Sequence, residues 1–180
     1  MVALEDIRKA HTRIRDRIRR TPVEHSRGFD QQAGVRCLFK CENLQRAGAF
    51  KIRGATNFIL QLDGDQLRRG VVAYSSGNHA QAVALAAREA GAAATLVMPA
   101  DAPCSKLEAT RARGARIVTY DRQRESREAI AETIARESGA TLVPPFDHPW
   151  IIAGQGTVAL ELLEDAPELN AVIAPLGGGG

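Results

Sequence analysis

Aromatic residues, lysines, cysteines and long apolar runs are all scarce in this chain of 180 residues. Aromatics make up 4% of it, so a core has to be built mainly from Ala, Val, Leu and Ile. No apolar run approaches the roughly 18 residues of a membrane span, and the N-terminus shows no secretory leader pattern. A cytoplasmic protein with neither membrane nor nucleic-acid partners is therefore expected. The cysteines are Cys37, Cys41 and Cys104. An odd count without a leader argues against a disulfide framework. Cys37 and Cys41 stand four apart within an expected strand, which is poor spacing for zinc. Buried, unpaired thiols and no metal site are the expectation. Lysine occurs only at positions 9, 40, 51 and 106, against twenty arginines.

What is present is the composition of an ordinary globular protein, 44% hydrophobic and 25% charged. This excludes collagen-like, mucin-like and disordered chains. The net charge of +3 is small. Much of the positive charge falls at Arg8, Lys9, Arg13, Arg15, Arg17, Arg19 and Arg20, with Leu4, Ile7, Ile14 and Ile18 near helical spacing. That pattern predicts an amphipathic helix with a solvated basic face. A nucleic-acid patch would call for interleaved aromatics and a basic bias along the whole chain, and both are missing.

Further on, a strand is expected over 35–42, a loop over 43–49 and a helix over 52–62. Strands at 71–74, 95–98, 116–120 and 141–143 then alternate with helices at 78–90, 105–113 and 125–137. Gly91, Gly114 and Gly139 stand where helix C-caps belong. This alternation predicts an α/β fold with a parallel sheet flanked by helices. A helix over 157–163 and a strand over 171–175 lead into Gly177, Gly178, Gly179 and Gly180.

Three stretches could carry chemistry. In Ala49-Phe50-Lys51-Ile52-Arg53-Gly54-Ala55, a rare lysine follows an aromatic residue at a loop-to-helix junction. A lysine buried there loses its proton, and a neutral amine condenses with an aldehyde; a surface lysine at a helix start is the plainer alternative. In Ser75-Ser76-Gly77-Asn78-His79, between a strand and a helix, successive N–H groups make an anion site. The same residues also suit an ordinary N-cap. The four glycines after a strand could converge N–H groups on a phosphate or form a plain tail. They match neither the dinucleotide fingerprint nor the Walker pattern, which sets aside a Rossmann-type nucleotide module.

Taken in order, these stretches resemble a known family. Lys40-Cys41-Glu42-Asn43-Leu44-Gln45, the Lys51 heptapeptide, Ser75-Ser76-Gly77-Asn78-His79-Ala80-Gln81, Ile152-Ala153-Gly154-Gln155-Gly156-Thr157 and the glycine run are together similar to the serine/threonine dehydratases. These include threonine ammonia-lyase and serine racemase-like enzymes, of pyridoxal-phosphate fold type II. The resemblance implies pyridoxal 5'-phosphate as cofactor, held as an imine on Lys51. It implies Phe50 beside the cofactor ring, Asn78 on the ring hydroxyl and Gly177, Gly178, Gly179 and Gly180 on the phosphate. Ser75, Ser76, Asn78 and His79 would receive the substrate, with Lys51 and Ser76 catalytic. A serine at position 76 resembles the racemase-type members, in which it works on the face opposite the lysine.

The implied reaction is β-elimination from L-threonine, L-serine or a hydroxylated analogue to a 2-oxo acid and ammonia, with racemisation beside it. The implied organisation is an incomplete large cofactor domain (1–69 and 148–180) around a small βαβ domain (70–147). The chain would be truncated at its C-terminus and the full-length family homo-oligomeric. An inactive fragment of such an enzyme is the alternative.

Overall fold

The computed structural model describes residues 1–177. Two sheets form. A small antiparallel pair joins β1 (Val23–His25) to β2 (Leu38–Lys40), with Val23 opposite Lys40. The main sheet contains β3 (Val71–Tyr74), β4 (Ala94–Pro99), β5 (Arg116–Tyr120) and β6 (Thr141–Leu142). Its order is β5-β4-β3-β6 and every pairing is parallel, as the alternation of strands and helices predicts.

The helices are α1 (Leu4–Ile14), α2 (Arg27–Ala33), α3 (Lys51–Ile59), α4 (Gly64–Arg69), α5 (Asn78–Glu89), α6 (Cys104–Arg111), α7 (Arg127–Ser138) and α8 (Pro149–Asp165). The alternating side chains of the central strands feed two cores, because successive strand residues face opposite sides of a sheet. Val71, Ala73, Leu96 and Met98 join Ile52, Phe58 and Ile59 of α3 and the alanines of α5. On the other side Val72, Val97 and Tyr120 pack with Ala131 of α7. Ala80, Ala82, Val83, Ala84, Leu85, Ala86 and Ala87 are all buried, so α5 is apolar nearly all round. A helix of that kind belongs inside a fold, and α5 packs against both α3 and the sheet.

Helix α3 is also pressed against α8. A Cβ on Gly154 would come within 2.6 Å of the Gly54 Cα and 2.8 Å of the Arg53 carbonyl oxygen. The two helices therefore touch backbone to backbone, which explains two of the glycines in the family-like stretches.

Several expectations change. Helix α8 starts eight residues before the expected 157, with Pro149 in its first turn and His148 Nδ1 accepting from the Trp150 N–H. The expected strand over 35–42 shrinks to its centre. The expected strand over 171–175 does not form. Those residues lie exposed, with Ile173 at 97% exposure, because no described strand pairs with them. The basic stretch is not merely solvated. Arg13 donates to Asn57, and Arg20 binds Glu164 and Asp165 at the end of α8. The thiols are less buried than expected, Cys37 and Cys41 partly and Cys104 not at all, because β2 is too short to enclose the first two. Among the described residues no helix is long and apolar enough to cross a membrane.

Candidate active site

Lys51 opens α3, directly after the loop that β2 leads into. The loop is pinned at Gln45, which is buried. Its side-chain oxygen accepts from the N–H groups of Arg19 and Arg46, and its amide donates to the Arg19 carbonyl. Below Lys51, the fully buried Arg53 spreads its donors over two carboxylates. It reaches Glu42 at 2.8 and 2.9 Å and Glu161 of α8 at 2.7 and 2.9 Å. Lys40 adds a second cation, its Nζ 2.9 Å from Glu161. Burial alone would raise the Glu161 carboxyl, but hydrogen bonds from Arg53 and Lys40 outweigh it and hold the group below its usual range. The start of α3 is thus fastened to β2, to the loop and to α8.

The Lys51 side chain is half-buried. Its Nζ donates to the carbonyl oxygen of Pro145 at 2.8 Å and lies 5.3 Å from the centre of the Phe50 ring. Burial lowers its pKa. That favours the neutral amine, the form that attacks a carbonyl. Phe50 is 39% exposed, so an aromatic face stands open beside the amine.

The Ser75–His79 stretch links β3 to α5. Ser75 Oγ accepts from the Gly77 N–H at 3.2 Å, and no side chain caps α5. The first-turn N–H groups of α5 therefore have no side-chain acceptor, which favours the anion site over the plain cap. Ser76 is half-buried, and its hydroxyl makes no hydrogen bond among the described residues; Asn78 is exposed at the helix start. His79 is 3% exposed, its Nε2 3.2 Å from the Val143 carbonyl oxygen and its Nδ1 without a partner among the described residues. Burial first, and then the nearby Lys51 charge, push its pKa down to about 4 against the opposing hydrogen bond to Val143. Lys51 and His79 therefore meet through the segment 143–145.

The structure adds residues that the sequence did not single out. The carbonyls of Val143 and Pro145 carry no side-chain signature. Lys106 of α6 places its Nζ 3.8 Å from where a Cβ on Gly77 would stand, and only its rarity among the basic residues could have drawn attention to it. Gly177 lies in a bend with open space around it. Gly178, Gly179 and Gly180 lie outside the described residues. No cluster of three or more metal-ligating side chains occurs among the described residues.

A desolvated amine, an open aromatic face, an uncapped helix end and an unpartnered buried nitrogen suit one class of α/β protein. That class takes an anionic carbonyl compound onto a lysine. The sequence family described as pyridoxal-phosphate-dependent enzymes matches residues 14–180. The chain is 53% identical over 175 residues to an L-threo-3-hydroxyaspartate ammonia-lyase of a Pseudomonas species, covering 97% of this chain and 55% of that protein. It is 45% identical to the L-threonine ammonia-lyase of Geobacter sulfurreducens, covering 97% of this chain and 43% of the relative. The crystal structure of serine racemase from Dictyostelium discoideum superposes with a TM-score of 0.92 at 43% identity, over 99% of this chain and 58% of that one. This chain belongs to the pyridoxal-phosphate-dependent enzyme family, with the architecture of fold type II. It spans about half the length of the curated relatives it matches.

Proposed function

We propose that the protein is an ammonia-lyase. It would act by β-elimination on a β-hydroxy amino acid, L-serine, L-threonine or a hydroxylated analogue such as threo-3-hydroxyaspartate, and release a 2-oxo acid and ammonia. Racemisation is the second activity of the same site. Pyridoxal phosphate, when bound, supplies the electron sink for the charge left on the substrate carbon. Lys51 would hold the cofactor through Nζ, and the same amine, when free, would accept the α-proton of the substrate. Ser76 Oγ moves a proton on the opposite face. The uncapped N–H groups of α5, the backbone N–H of His79 among them, receive the substrate carboxylate together with the side chains of Ser75 and Asn78. Asn78 also serves the cofactor ring hydroxyl, and Phe50 covers its ring. Gly177, Gly178, Gly179 and Gly180 belong to the phosphate cradle in this reading. So does the division into residues 70–147, which contain all four strands of the main sheet, and flanking parts that supply α3 and α8.

The observation that carries the reading is the Lys51 amine, desolvated and held, among the described residues, by a backbone carbonyl beside an exposed aromatic ring. Lys40, by contrast, lies against two carboxylates, those of Glu161 and Asp165. The test is to add pyridoxal phosphate, record the visible spectrum, reduce with borohydride and map the labelled peptide. A new absorbance band and a label confined to Lys51, both lost in Lys51→Ala, are expected. A label spread over the four lysines, or none, overturns the proposal.

A further inference from the structure

We propose that His79 is a positioning residue for Lys51, acting through the segment 143–145 that both side chains grip. The inference rests on Lys51 being the reactive amine. The segment leaves β6 and is anchored to the main sheet at one end, where the Val143 N–H donates to the Val72 carbonyl at 2.8 Å. Pro144 holds Val143 in an extended conformation, and the prolines at 144 and 145 bring no N–H of their own. The polar groups that this stretch offers are therefore its carbonyls. The one at Val143 lies 3.2 Å from His79 Nε2 and the one at Pro145 receives Lys51 Nζ at 2.8 Å.

The chemistry of the imidazole then follows by elimination. A carbonyl oxygen only accepts, so Nε2 must carry the hydrogen. The neutral ring has one hydrogen to give, which leaves Nδ1 as a bare lone pair. Nδ1 is buried and has no partner among the described residues, so nothing there calls for a hydrogen on it. The ring of His79 thus has no N–H for a substrate carboxylate. A carboxylate received at this end of α5 meets backbone N–H groups, and the side chain serves the segment instead. By fixing Val143, His79 fixes the Pro145 carbonyl two residues on, and with it the direction and the desolvation of the Lys51 amine. Lys51 of α3 is the charged group that bears on His79. On the α6 side, Lys106 stands near Gly77.

Two measurements test this without catalysis. In the full chain labelled with nitrogen-15 at histidine, the His79 ring should be neutral at pH 6 with its proton on Nε2; a proton on Nδ1 overturns the proposal whatever the variants do. Four lysines give an assignable carbon-13 dimethyl-lysine spectrum. His79→Phe, which keeps the ring volume but not the donor, should move the Lys51 titration midpoint up by about one pH unit as water reaches the amine. His79→Gln, which keeps a donor at comparable reach, should restore the wild-type midpoint. A midpoint unmoved in His79→Phe, or moved alike in both variants, overturns the positioning role. Failure of Lys51 to take up pyridoxal phosphate would instead overturn the underlying reading, and the spectrum described above reports that separately.

Discussion

Ser76 stands between two committed neighbours. Ser75 Oγ is occupied by the Gly77 N–H, whereas the Ser76 hydroxyl is free among the described residues. A free hydroxyl is what a proton carrier needs, so Ser76→Ala should separate the two activities. Formation of D-serine should fall by roughly 100-fold or more, while 2-oxo acid release continues; equal retention of both in a chiral assay would remove Ser76 from the mechanism. At this scale the sequence singles out chemistry-bearing side chains that stand at loop-to-helix junctions, as at Lys51, Ser76 and His79. It was silent on the segment 143–145, because valine and proline act there through carbonyls that every residue possesses. It also could not say which nitrogen of His79 is used, since that depends on a partner 64 positions away.

Helices and strands were legible where their signals were local. β3 and β5 match their expected limits, and Gly139 ends α7 with φ of 72°. Short elements were missed although their signals were present. Asp63 and Gln66 form a reciprocal capping box at the start of α4, and Ser26 accepts from the Phe29 N–H at the start of α2. β1 is a three-residue strand that exists only because β2 lies beside it. The start of α8 was missed because its apolar first turn, Pro149 to Ile152, has no clear helical period. The α3–α8 contact gives the prediction at this scale. Gly154→Ala forces a methyl group against the backbone of Gly54 and should lower the unfolding free energy by about 1–3 kcal/mol. Denaturant melts would measure it. A variant as stable as the parent would mean that the helices can move apart freely.

Across the whole molecule, buried ionisable groups set the response to acid. The folded pKa of His79 is depressed to about 4, below its ordinary value of about 6.5. The unfolded chain therefore binds this proton first. The stability tied to a neutral His79 is complete above roughly pH 6.5 and is lost as pH falls towards 4, with a slope of at most about 1.4 kcal/mol per pH unit. Glu161, also depressed, adds a further loss below the ordinary carboxylate range. Unfolding measured between pH 7 and 4 should show this slope, and His79→Gln should flatten its upper part; an unchanged slope would contradict the burial of a neutral ring. Breaking the buried ion cluster should be costlier. Arg53→Met leaves Glu42 without its cation and Glu161 with Lys40 alone, and should cost about 3–5 kcal/mol. Arg20→Gln, at a half-exposed pair, should cost less than about 1 kcal/mol.

Glu42, Glu161, Arg53 and Lys40 carry two charges of each sign within a few ångströms of one another. Cations and carboxylates lie side by side there, Asp165 and Arg20 continuing the array beyond Lys40, and the potential such a group throws outward dies away faster than that of a lone ion. Lys51 is built on a foundation that is electrically quiet, and burial is the influence that moves its pKa. The basicity of the amine should accordingly be indifferent to the ionic medium. Half-molar salt, which screens surface charges beyond a few ångströms, should leave its titration curve in place, so that the protein carries its own solvent conditions to the reacting nitrogen.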